Sequence, residues 1–224
     1  MSGKLSRRNF CKTSLVASAT LGSAAAVAAR LGTLLAAENA EDGFRPLFNG
    51  RDLSGWEGDR KLWLVEQGML IGRSPGIKYN DFLATTRSYR DFVLRFQIRL
   101  IDGRGNSGMQ FRSQRVPPPS HEVCGYQADV AAGMWGNIYD ESRRRKNLAG
   151  PAAELLRKIL RPTGWNDYEI QARGDHIVLA LNGVTTADYA ETDAKIARDG
   201  IFATQIHAGG PMEVQFRNIR IREL

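Results

Sequence analysis

From Phe92 to Leu100 the chain reads Phe-Val-Leu-Arg-Phe-Gln-Ile-Arg-Leu, with Arg95, Gln97 and Arg99 at every second position. A period of two puts those three on one face of a β-strand, with apolar neighbours on the other. Short apolar or alternating segments recur along the chain, separated by turn residues. They are Trp63 to Val65, Met69 to Gly72, Phe82 to Thr85, Gly108 to Arg112, Gly125 to Asp129 and Tyr168 to Arg173. His176 to Leu181, Thr185 to Tyr189, Gly200 to His207 and Val214 to Arg222 continue the series. Asn182-Gly183 between two such runs predicts a tight hairpin. Phe44 to Trp56 is turn-rich, broken at Asn49-Gly50 and Ser54-Gly55. One helix is predicted: Pro151 suits a first turn before Ala152 to Leu160, and Arg161-Pro162 stops it. Its apolar stripe is Leu155, Leu156, Ile159 and Leu160. About eleven short strands and one short helix predict an all-β fold, an antiparallel jelly-roll sandwich.

The N-terminus departs from this pattern. Ser6-Arg7-Arg8-Asn9-Phe10-Cys11-Lys12 is a twin-arginine motif, followed by an Ala-rich apolar run from Leu15 to Ala29. Residues 1–40 are therefore expected to be a signal peptide and leader, and 41–224 a single domain. The competing reading, a retained membrane anchor, fits less well because Gly22 interrupts the run and Arg30 ends it. Export by the twin-arginine route predicts a periplasmic or secreted domain with no membrane attachment after cleavage. The charge changes with it. Residues 1–37 hold Lys4, Arg7, Arg8, Lys12 and Arg30 and no carboxylate, leaving 26 basic against 24 acidic residues. Nearly balanced charge gives no support to nucleic-acid binding. Cys11 leaves with the leader, so Cys124 has no partner for an intramolecular disulfide. A buried structural thiol is favoured over a nucleophile at Cys124, since no twin-Cys or Cys-His spacing accompanies it.

Three strands repeat a polar pair at i and i+2: Gln110 with Arg112, Gln127 with Asp129, and Gln205 with His207. Each pair shares a face, and residues of these types suggest a wet, ligand-facing sheet rather than an ordinary solvated one. His121 and His207 flank that face, and His176 sits in a predicted hairpin turn where an exposed, idle role is expected. Glu122, Asp129, Asp140 and Glu141 are the acidic candidates, and two of them suffice for general acid/base chemistry. Asp129 is the first choice; Glu141 is equally placed to be salt-bridged to Arg143 or Arg144. Trp135 and Tyr139 suit stacking on a sugar ring or, as readily, a place in the core. Of the basic quartet Arg143 to Lys146, only Arg143 is expected to approach the site. Tyr126, on the Gln127 strand, completes the set of candidate substrate contacts. No hydrolase elbow, phosphate loop, zinc array or dinucleotide fingerprint occurs, and no cofactor is predicted.

Several of these segments resemble the motifs of a known family. They are Leu47 to Trp56, Gly105 to Arg112, Gly125 to Asp129, Gly164 to Ile170, Leu181 to Val184, Gln205 to His207 and Phe216 to Leu224. In this order they are similar to the 3-keto-disaccharide hydrolase domain. The resemblance implies a concanavalin-like jelly roll and a carbohydrate substrate already oxidised to the ketone at C3, supplied by a separate glycoside oxidoreductase. A C3 ketone acidifies the C2 proton, so a base can remove it and the C1 substituent can leave by β-elimination, after which water adds. The residues above then take roles: Asp129 or Glu141 as base, His207 as acid, and Arg112, Gln127 and Gln205 as hydrogen-bond donors. Gln110, Glu122, Tyr126, Trp135, Tyr139 and Arg143 are the remaining substrate contacts. A divalent cation chelating the ketone would do the same work as the donors. The alternatives are a non-catalytic carbohydrate-binding module on the same fold and a surface domain that binds nothing.

Overall fold

The computed structural model describes residues 43–118 and 120–224, in which two antiparallel sheets pack face to face. The expected leader, residues 1–40, lies outside the described residues. In spatial order the back sheet runs β13 (Val184–Ala190), β12 (His176–Leu181), β11 (Asn166–Arg173), β6 (Phe92–Leu100), β15 (Met212–Glu223), β4 (Met69–Ser74) and β3 (Trp63–Glu66). β1 (Arg45–Pro46) also pairs with β15. The front sheet runs β10 (Asn147–Ala149), β9 (Ile138–Glu141), β8 (Val123–Ala131), β7 (Asn106–Arg115), β14 (Ile201–Ile206), β5 (Asp81–Thr85) and β2 (Trp56–Glu57). Four of the fifteen strands among the described residues were not expected from the sequence: β1, β2, β9 and β10. They are two to four residues long and carry no apolar run, so only their pairing with a neighbour defines them.

The core lies between the sheets. Leu94, Phe96, Ile98, Tyr168, Ile170 and Phe216 from the back meet Met109, Phe111, Tyr126, Ala128, Phe202 and Ile206 from the front. The alternation in β6 is realised as expected, with Arg95, Gln97 and Arg99 half-buried on the outer face. Asn182 and Gly183 take φ of 51° and 81°, the paired left-handed geometry of a two-residue hairpin turn. The helix, α1 (Ala153–Ile159), begins without a side-chain cap. It buries Leu156, with Ile159 and Leu160 packed against the same core.

One sequence expectation fails here. Arg112 was placed beside Gln110 on the ligand-facing surface, but the β7–β8 register shifts between Phe111 and Gln114 and Arg112 has φ of 46°. A bulge adds a residue to one strand and re-aims the side chains next to it. Arg112 is thereby buried, donating through Nε to the Arg90 carbonyl, Nη1 to the Gly174 carbonyl and Nη2 to Asp91, each at 2.8 Å. The bulge fits because Gly200 faces Ser113; a Cβ there would lie 2.5 Å from its backbone. Arg112 is thus a structural clasp. Replacing it with Met should lower stability by about 2–4 kcal/mol, because carbonyls and a carboxylate lose their donors. Urea denaturation reads this directly; unchanged stability would mean the clasp carries nothing.

Candidate functional site

β8 sends Tyr126, Ala128 and Val130 into the core, so Gln127 and Asp129 face away from it. Directly paired residues share a face. Gln110 and Tyr139 oppose Gln127, Gly108 opposes Asp129, and Glu141 opposes Gly125. Gln205 joins the same surface through β14, where Ala203 opposes Gln110. A small apolar cluster of Phe82, Ala84, Val123 and Ala203 completes it.

This surface is cupped. Glu141 on β9 and Gln205 on β14 are separated by β8 and β7, about 14 Å on a flat sheet at the usual strand spacing. Yet Gln205 Nε2 donates to Glu141 Oε2 at 3.3 Å. Gln110, Gln127, Asp129 and Gln205 are also at most 4% exposed although they point away from the core. Curvature explains both facts.

Inside the cup the side chains are ordered by one another. Gly108 makes room for Gln127: a Cβ there would sit 2.6 Å from the Gln127 side chain. Gln110 Nε2 donates to Gln127 Oε1 at 2.7 Å, which turns the Gln127 amide nitrogen toward its hydrogen bond with Asp129. The Val130 N–H donates to Asp129 Oδ1 at 2.8 Å. Burial nevertheless pushes the Asp129 carboxyl up to about 7; the two hydrogen bonds oppose the rise, and the Glu141 charge adds to it. Burial also raises Glu141, as does the neighbouring Glu122 charge, against Gln205, His207 and Ser142. Glu122 is fixed by Asn80 Nδ2 at 3.1 and 3.2 Å and by Ser142 Oγ at 3.2 Å. His207 follows β14, its Nδ1 2.7 Å from the Ala208 carbonyl. Two electrostatically linked carboxyl groups, both raised, with an imidazole alongside, form an acid/base set suited to proton transfer near neutral pH.

Gln110, Glu122, Gln127, Asp129, Tyr139, Glu141, Gln205 and His207 are therefore brought together. Four predicted contacts are not. Arg112 is the clasp already described. Trp135 is 3% exposed and part of the core. Tyr126 is fully buried, with its hydroxyl donating to Glu191 Oε2 at 2.6 Å. Arg143 turns to the other face: its Nε donates to buried Asp140 at 2.8 Å and its guanidinium covers the Tyr126 ring at 4.6 Å. Arg144 also binds Asp140, and Glu191 at 2.6 Å. Both cations are drawn to Asp140, the strand neighbour of Glu141 that points oppositely, so Glu141 keeps no arginine. Cys124 is half-buried and free, and burial raises its thiol, the reverse of nucleophile activation.

Three site residues escaped the sequence reading: Asn80, Asn106 and Ser142. Asn106 was within reach, since the period of two that links Gln110 to Gly108 extends back to it. Asn80 lies in the loop before β5 and Ser142 in a turn, where no period exists. Asn106 Oδ1 and Gln205 Oε1 are buried with no hydrogen-bond partner among the described residues, leaving two acceptors for a ligand's hydroxyls. Among the described residues no three His, Cys, Asp or Glu side chains group as a metal site. No helix among them is long and apolar enough to cross a membrane.

A family model described as a 3-keto-alpha-glucoside-1,2-lyase-like domain matches residues 43–222. No curated protein matches the sequence. Among solved structures, the chain is similar to a candidate glycosyl hydrolase of Parabacteroides distasonis. The TM-score is 0.64 at 20% identity, over 84% of this chain and 96% of that one. A carbohydrate-binding module of Bacillus subtilis matches with TM-score 0.57 at 20% identity, over 75% and 96% of the two chains. A Bacillus subtilis protein with a galectin-like fold matches with TM-score 0.55 at 11% identity, over 80% and 94%. At these identities the likeness is one of fold, and it bears out the jelly-roll sandwich.

A carboxyl raised by burial stabilises the fold only while protonated, so its contribution is complete below the unfolded value and lost as pH rises through about 7. Asp129→Asn, neutral at every pH, should therefore be more stable than the parent. The gain should grow between about pH 4 and 7 to roughly 2–4 kcal/mol and stay level above. Thermal melts of both proteins across pH 4–9 measure it; a pH-independent difference would contradict the burial of this carboxyl.

Proposed function

The chain belongs to the 3-keto-alpha-glucoside-1,2-lyase-like family, which ties it to carbohydrate chemistry, and we propose that it cleaves 3-keto-glycosides by elimination followed by hydration. The observation that carries this reading is buried Asp129 electrostatically linked to half-buried Glu141 in an amide-lined cup, with Asp129 poised near pH 7. Elimination across C1 and C2 needs a base for the C2 proton, an acid for the departing glycosidic oxygen and donors for the enolate oxygen at C3. Asp129 takes the C2 proton, since its low exposure strips water from it and its pKa matches neutral pH. His207 supplies the proton to the leaving oxygen. Burial keeps Asp129 basic, and the charge of Glu141, held by Gln205, adds to it. Water then adds at C1, the proton returns to C2, and the sum is hydrolysis to an alcohol and a 3-keto sugar.

On this reading a separate glycoside oxidoreductase supplies the substrate by converting the C3 hydroxyl to a ketone. The twin-arginine motif supports a periplasmic or secreted location, and fractionation of cells making the full chain checks it. The same cup could instead hold a sugar without acting on it, since Asn106 and Gln205 offer open acceptors to any hydroxyl.

Incubation of the purified protein with a 3-keto-disaccharide separates the two readings: released 3-keto sugar supports catalysis, and saturable binding without product supports the binding module. Asp129→Asn and His207→Ala should each lower kcat by at least about 100-fold while the fold survives. Undiminished turnover in both would remove the assignment. The kcat/KM of the parent should fall as pH drops below about 7, because Asp129 must be ionised to accept the proton.

A further inference from the structure

A line of buried polar side chains runs from the β7 bulge to the acid. Ser113 Oγ donates to Gln110 Oε1 at 3.0 Å, Gln110 Nε2 donates to Gln127 Oε1 at 2.7 Å, and the Gln127 amide meets the Asp129 carboxyl. All four residues are buried. An amide offers N–H from one arm and oxygen from the other, so by turning over it serves a donor or an acceptor equally well. Only the two ends of the line can therefore set its direction. At the far end Ser113 Oγ also lies 2.9 Å from the Phe111 carbonyl oxygen. A hydroxyl donates once and accepts besides, so it can give its hydrogen to Gln110, or give it to Phe111 and accept a Gln110 N–H. At the near end a carboxylate only accepts, whereas a carboxylic acid has one hydrogen to give.

We infer that Ser113, Gln110 and Gln127 are positioning residues: a hydrogen-bond relay whose two amides turn over together, so that Asp129 keeps its partner as carboxylate and as carboxylic acid. In the first form the hydrogens point from Ser113 toward Asp129. In the second, Asp129 donates to Gln127 Oε1, Gln127 Nε2 to Gln110 Oε1, Gln110 Nε2 to Ser113 Oγ, and the hydroxyl to Phe111. No proton passes along the line, because each amide keeps its own hydrogens. The role in turnover rests on the cleavage reading above, in which Asp129 takes the C2 proton and later returns it. A donor fixed in one direction would oppose the first of those changes. The titratable groups that face Asp129 are Glu141 and Tyr139 from β9 and Tyr168 from β11, while β7 sets Gly108 opposite it. His207 and Glu122 act on Glu141.

Neutron diffraction from the full chain at about pH 5 and 9, either side of the Asp129 midpoint near 7, locates the amide hydrogens. Gln127 should present nitrogen to Asp129 at the higher pH and oxygen at the lower, with Gln110 reversed in step. The same orientation at both overturns the relay. Gln127→Met removes the partner of both forms, so the Asp129 midpoint read by carboxyl-carbon NMR should stay within about half a unit of the parent's. A larger rise marks a one-way donor and overturns the relay. Neither measurement uses a substrate, so failure of the parent to cleave a 3-keto-disaccharide removes the cleavage reading alone. Where the parent does turn over, Gln110→Met and Gln127→Met should each lower kcat about tenfold while the acid limb of kcat/KM keeps its midpoint. Unchanged kcat, or a limb displaced by about one unit, overturns the role in turnover.

Discussion

A single hydroxyl joins the two sheets at the place where the chemistry sits. Tyr168, on β11 of the back sheet, donates to the Asp129 carbonyl at 2.8 Å and accepts the Gly136 N–H at 2.6 Å. The phenol is wholly enclosed, stacked on Phe96 at 5.3 Å, so both bonds form where water cannot replace them. The main chain of the acid and the turn leading to Glu141 are thus registered against the core. Gly136 has φ of 81°, and a Cβ there would come within 2.8 Å of Thr186, so the close approach depends on glycine.

From that anchor the cup follows. β8 and β7 are held flush to the core by Ala128, Met109 and Phe111, while small residues on the opposite face, Gly108 and Ala203, let side chains fold across the sheet instead of standing upright. The result is a shallow polar cavity in which carboxyl groups lose solvent without gaining a cation. The nearby arginines are spoken for, with Arg143 and Arg144 both on Asp140 and Arg112 on Asp91. Such an arrangement weakens the fold locally and raises the basicity of Asp129, a trade expected where a site must move protons.

Toward β9 the cup is walled by Tyr139 and the Glu141 turn, and Glu122 ties that turn to the β5 side through Ser142 and Asn80. Jelly-roll sandwiches serve both enzymes and binding modules, and what separates these uses is the protonation chemistry of a few side chains rather than the strand plan.

Eleven of the described strands, the hairpin at Asn182-Gly183, the helix at Ala153–Ile159 and the same-face pairs Gln127 with Asp129 and Gln205 toward His207 were readable in the sequence, because periodicity and turn signals are local properties of the chain. That periodicity ends where the ladder does. A bulge at Arg112 reversed one side chain; the choice of Arg143 and Arg144 between Asp140 and Glu141 depended on which face each acid presented; and Trp135, just before β9, went to the core. Asn80 and Ser142 reached the site from a loop and a turn that carry no period. The sequence determined which groups were available and which faces the regular strands offered. Only the tertiary structure decided which of those groups meet, because sheet curvature, bulges and turns bring together residues separated by long stretches of chain.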